Sequence, residues 1–145
     1  VSISQVMIAG SNNLTGGGGA ASGGTGTPGS GYLNGYSGHI VTLTPTTNGS
    51  GNPHTAYPGD TITWTITSNS SALNGVTVYY WVDNDAVPYT DWTYPQNYGQ
   101  IVLDSNGNGS FNRTVAANPP QHGLFRMYIG TSLYQGTITH GYIGV

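Results

Sequence analysis

Residues 61–67 read Thr-Ile-Thr-Trp-Thr-Ile-Thr, and no other stretch constrains the fold of this chain as tightly. Side chains alternate across a β-strand, so Ile62, Trp64 and Ile66 fall on one face and four threonines on the other. A helix would scatter the three apolar residues around its axis. The segment is therefore expected to be a strand with one buried face, and that face needs a second layer to cover it.

The remaining sequence supplies the other strands. Residues 39–45 (HIVTLTP) offer a first strand, and Pro58-Gly59-Asp60 is turn material ahead of the Thr-rich one. Residues 76–82 (VTVYYWV) place Val76, Val78, Tyr80 and Val82 inward and Thr77, Tyr79 and Trp81 outward. Residues 100–103 and 110–116 flank the polar connector DSNGNG and read as a hairpin with Phe111 and Val115 inward. Residues 123–129 and 133–145 give the last two strands. No helical period is long enough to cover a parallel sheet, so the expectation is an all-β chain. We expect an Ig-like antiparallel β-sandwich of about seven strands over residues 39–145, with an N-terminal extension strand. The length of 145 residues holds one such core and not two.

Ahead of that domain the texture is different. Residues 1–9 (VSISQVMIA) set Val1 and Ile3 on one side and Val6 and Ile8 on the other, with a slip at Gln5, and read as a short apolar strand. Residues 10–38 are dominated by glycine and are expected to be a linker, because they carry too little apolar surface to offset the entropy of ordering them. A lone apolar strand leaves its backbone groups unpaired and its side chains wet. Insertion into the sheet of a neighbouring copy satisfies both needs by β-augmentation. Donor and acceptor would be different surfaces, so the contact would not close and the product would be a filament.

Composition narrows the function classes. Only 5% of residues are charged, with two Lys plus Arg, five Asp plus Glu and a net charge of −3. No cationic surface exists to neutralise phosphates, so nucleic acid is not an expected partner. A surface kept wet by Thr, Ser, Asn and Gly, where about 25% charged residues are usual, points to an extracellular or cell-surface location. There is no cysteine, which removes thiol chemistry and disulfide staples. No apolar run reaches about 18 residues, so no transmembrane segment is expected. The first residues carry no basic and hydrophobic export signal, so the chain is expected to be a mature product or an excerpt.

Four stretches taken together carry a resemblance: AYPGDTITWTIT, VTVYYWVD, DSNGNGSFNRTV and NPPQHGLFRMYIG. They resemble the bacterial and archaeal Ig-like repeat domains of secreted surface proteins, over residues 58–130. The layout of apolar leader, glycine linker and Ig-like domain is similar to that of subunits of donor-strand-linked extracellular filaments and glycosylated fibrils. The resemblance implies a structural role, namely a homopolymer joined head to tail through Val1, Ile3, Val6 and Ile8. The alternative reading is a carbohydrate-binding or adhesive surface module.

No residues read as an enzyme active site, and no cofactor is expected. His39, His54, His122 and His140 lack the spacing of a metal site. Asp83, Asp85 and Asp91 share one loop, where solvated turn carboxylates are a better account than a glycosidase pair about 5–9.5 Å apart. Asp104, Asn106 and Asn108 imitate the first half of a calcium loop, but position twelve is Val115, so the bidentate acid is missing. Calcium at Asp83, Asp85 or Asp104 is a minor expectation. N-glycosylation sequons occur at Asn13, Asn48, Asn69, Asn108 and Asn112, mostly in connectors, and Thr61, Thr63 and Thr65 are O-linked candidates. Eleven tyrosines and three tryptophans keep binding in view. Tyr79 and Trp81 share a strand face, followed by Tyr89, Trp92, Tyr94 and Tyr98, as a subunit contact, a platform for polysaccharide, or simply core and scattered surface.

Overall fold

A computed structural model describes residues 24–48, 56–82, 98–115, 124–135, 138–139 and 143–144. Through these the chain is all-β, with two antiparallel sheets facing each other as a sandwich. In the first sheet, β1 (Gly24–Thr25) and β2 (Gly29–Gly31) lie along one side of β3 (Val41–Thr47), which pairs with β4 (Thr61–Thr67). The second sheet contains β5 (Thr77–Val82), with β6 (Tyr98–Val102) as its outer neighbour. The chain then returns to the first sheet as β7 (Gly109–Thr114), beside β4. After the short β8 (Leu124–Phe125), β9 (Met127–Gly130) pairs with β5 and with β10 (Ile138–Thr139), while β11 (Ile143–Gly144) pairs with β8. Among the described residues no helix is long and apolar enough to cross a membrane.

Alternation decides what is buried. On β4 the threonines are half-buried while Ile62, Trp64 and Ile66 are fully covered, and β3 buries Val41, Leu43, Pro45 and Thr47. Trp64 stacks on its cross-strand partner Phe111 with ring centroids 5.5 Å apart. Phe111 stacks in turn on Tyr80 of the opposite sheet at 3.7 Å and 11°. The three rings form a column across the sandwich, adding about 0.5–1.5 kcal/mol per pair beyond simple burial. Tyr80 also covers its neighbour Gly99 on β6, where any Cβ would collide with the Tyr80 hydroxyl and ring.

Pro45 sits inside a strand that is paired on both sides, a position that usually excludes proline. Gly26 N–H donates to Pro45 O at 2.8 Å, so the backbone edge of Pro45 faces β1 and β2. Its missing N–H therefore falls at the break between those two short strands and costs no ladder bond to β4.

Strands β4 and β5 begin with the same device. Asp60 N–H bonds Tyr57 O across Pro58-Gly59, and Val76 N–H bonds Leu73 O across Asn74-Gly75. Asn74 has φ −57° and ψ 126°, and Gly75 has φ +78°, which are type II turn angles. In each case the glycine N–H and the following carbonyl bond a single residue of the adjacent strand, Val115 for Gly59-Asp60 and Leu103 for Gly75-Val76. This is the glycine form of the β-bulge, and it increases the local twist where the strand enters its sheet.

Two expectations change. The connector at 104–108 does form a hairpin turn, with Gly107 N–H on Asp104 O and Asp104 N–H on Asn108 O. The strands it joins do not form a hairpin: β6 pairs with β5 and β7 with β4, in different sheets. Local turn chemistry was readable, whereas the parting of the strands depends on which neighbours bury Ile101 and Phe111. The linker expected over 10–38 also ends early. Within it, β1 and β2 pair with β3, and Leu33 enters the core at 1% exposure. Ladder hydrogen bonds need no side chain, so glycines can hold an edge once a single leucine anchors the segment.

We predict that Gly75→Ala destabilises the domain by about 1–2 kcal/mol through its left-handed backbone alone, since the added methyl meets nothing within 4 Å. Gly107→Ala should cost more, because its Cβ would also collide with Ser68 Oγ and the Ser70 carbonyl. Urea unfolding of the two variants checks the order.

Candidate functional site

The outer face of the second sheet carries a row of rings. Register places Trp81 between Tyr98 of β6 and Tyr128 of β9, so the three side chains line up across the strands. Trp81 and Tyr128 stack with centroids 6.2 Å apart. Tyr134 meets Trp81 edge-on at 5.8 Å and Tyr98 at 6.3 Å. The Arg126 guanidinium lies 5.9 Å from the Tyr128 ring centre. Tyr79, half-buried, continues the face beside Gln100 and Gly130.

Trp81 points to the outer face as alternation requires, yet it is only 7% exposed. Its indole is the floor of the cluster and not an open platform. The accessible rings are Tyr134 at 59% and Tyr98 at 41% exposure. Tyr98 is the first residue of β6 and not part of the preceding loop. Tyr128 was legible in principle: it alternates with Met127 and Ile129, both buried, and so belongs on the Trp81 face. Tyr134 adopts φ +64° in a turn, where no period reaches it. Tyr89, Trp92 and Tyr94 lie outside the described residues, as do Val1, Ile3, Val6, Ile8, Asn13, Asp83 and Asp85.

On one side of the sandwich the edge strands among the described residues are β6 and β7. Leu103 N–H bonds Val76 O, which fixes the ladder phase. Gly99 and Ile101 turn their backbone groups to β5, and Tyr98, Gln100 and Val102 turn theirs away from the sheet. By the same alternation Ser110, Asn112 and Thr114 face outward from β7. There the Arg113 side chain bridges the two sheets. One guanidinium nitrogen donates to Asn112 O at 2.7 Å, the other to the Tyr80 hydroxyl at 2.9 Å, and the group lies 5.3 Å from the Tyr80 ring centre.

The sequons differ in how their amides are used. Asn108 Oδ1 accepts from Ser68 N–H at 2.8 Å and Asn69 N–H at 3.0 Å, and its Nδ2 donates to Asn69 Oδ1. These bonds clamp the 104–108 turn to the 68–70 connector, so the nitrogen that would carry a glycan is engaged. Asn48 is exposed and its Oδ1 accepts from Thr61 N–H, whereas Asn112 is exposed on β7. Asp104 Oδ1 accepts from Asn106 and Asn108 N–H, closing its own turn. Thr61, Thr63 and Thr65 stand half-buried on the outer face of the first sheet.

The chain matches no family model, no curated protein and no solved structure.

Replacing Tyr134 by Ala should uncover Trp81, giving a red-shifted, more quenchable tryptophan emission and a stability loss of about 0.5–1.5 kcal/mol. Asn108→Ala should cost about 1–3 kcal/mol, because the Ser68 and Asn69 N–H groups lose their acceptor. Fluorescence quenching and denaturant titration test these two outcomes.

Proposed function

We propose that the chain is an Ig-like structural subunit of an extracellular filament, joined by insertion of its N-terminal strand into the next copy. The observation that carries this reading is a sandwich whose edge strands have no further strand beside them among the described residues, in a chain whose leader is apolar on both faces. Edge strands expose unpaired N–H and C=O groups, and natural β proteins protect them unless they are used. An added strand supplies main-chain bonds for affinity and alternate side chains for specificity. The scarcity of charge agrees with a surface that associates with copies of itself. The strand order supports the Ig-like assignment: β3, β4 and β7 share one sheet and β10, β9, β5 and β6 the other, with the chain crossing between them. Exposed sequons such as Asn48 and Asn112 leave room for covalent glycans on the assembled surface.

Deleting residues 1–9 is expected to convert a native polymer to monomers of lower melting temperature. Unchanged size and melting would remove the leader from the assembly. A second reading, a polysaccharide-binding surface module, is favoured by the two exposed rings of Tyr98 and Tyr134 around an aromatic floor. It predicts that Tyr134→Ala abolishes pull-down by insoluble polysaccharide while the protein stays folded; undiminished binding by the variant would exclude that face as the site.

A further inference from the structure

We propose that β6 is the edge that receives the N-terminal strand of the next copy, an assignment that rests on the filament reading above. Among the described residues the two larger sheets present four edges, and the other three are less suited. Among the described residues β1, β2 and β10 offer two or three ladder positions each, a short template beside the five of β6. On β7 the Arg113 guanidinium occupies the outward carbonyl of Asn112, so an incoming strand would have to displace a charge-assisted hydrogen bond. The β6 edge runs for five residues, carries no charged side chain, and holds no proline or bulge. Its outward backbone groups belong to Tyr98, Gln100 and Val102.

The side chains fit the leader as well as the backbone does. A strand added to β6 would place one set of side chains beside Val102, which is 61% exposed, and Tyr98, and the alternate set beside Ile101, which packs on the core. Apolar neighbours on both faces suit VSISQVMIA, where Val1 and Ile3 lie on one side and Val6 and Ile8 on the other. Nine residues span about 30 Å, enough to cover the roughly 17 Å of β6. Residues 10–23 reach at most about 50 Å, ample for passage to a neighbour whose diameter is about 30 Å.

Proline separates the two edges cleanly. Gln100→Pro removes an N–H that points away from β5, so the ladder within the sheet is kept and only the incoming strand loses its donor. Asn112→Pro is the equivalent change on β7. The full-length wild type should run as a polymer by light scattering. Gln100→Pro should be monomeric with unchanged far-ultraviolet circular dichroism, and Asn112→Pro should still polymerise. Val102→Lys, at an exposed position, should also lose the polymer and decides the matter if the proline variant misfolds. Mixing Gln100→Pro with a full-length Ile3→Asp/Ile8→Asp variant should give one-to-one dimers, since the first keeps its leader and the second its edge. If Gln100→Pro and Val102→Lys assemble normally while Ile3→Asp/Ile8→Asp does not, the filament stands and β6 is the wrong edge. A wild type that runs as a monomer overturns both.

Discussion

The stack of Trp64 on Phe111 on Tyr80 is the contact on which the rest of the sandwich depends. Two of its rings belong to the first sheet and one to the second, so it sets the separation of the layers at their centre. Tyr80 has further duties. Its ring shields Gly99, and its hydroxyl accepts from Arg113 at the rim of the opposite sheet. One side chain on β5 thereby touches both β6 and β7. In an interior packed as densely as a crystal, a displaced ring at this point would be felt at both rims.

Much of the fold was legible in residues 61–67 and 76–82, because a half-buried strand writes its burial directly into alternation. Ile62, Trp64, Ile66, Val78 and Tyr80 are inward as period two requires. Less was legible where burial and polarity part company. Gly29 and Gly31 hold a place in a sheet without a side chain to announce it. Trp81 faces outward and is nonetheless covered, because Tyr128 and Tyr134 come from distant sequence. The aromatic face is therefore a tertiary product, and the sequence contains only its ingredients. The same holds for Asn108, whose sequon spelling says nothing of the connector it clamps.

Turn chemistry accounts for how β4 and β5 start in their sheets. Tyr57-Pro58-Gly59-Asp60 and Leu73-Asn74-Gly75-Val76 are unlike in sequence except for the glycine, yet both give a turn followed by a bulge. Each anchors the start of one strand to the far end of another. In the first, the Asp60 carboxylate also accepts from Tyr57 N–H at 2.8 Å. Backbone geometry, more than side-chain contact, fixes register at these corners.

The turn at 104–108 joins strands that belong to opposite layers, and this has a bearing on how the protein reaches its native state. Turns of this size close in roughly 100 ns or less, long before strands distant in sequence find each other. Once closed, this one holds the end of β6 in one layer beside the start of β7 in the other. Each layer can then grow outward from a shared corner, so the search for the correct pairing of two sheets is reduced to the extension of one nucleus.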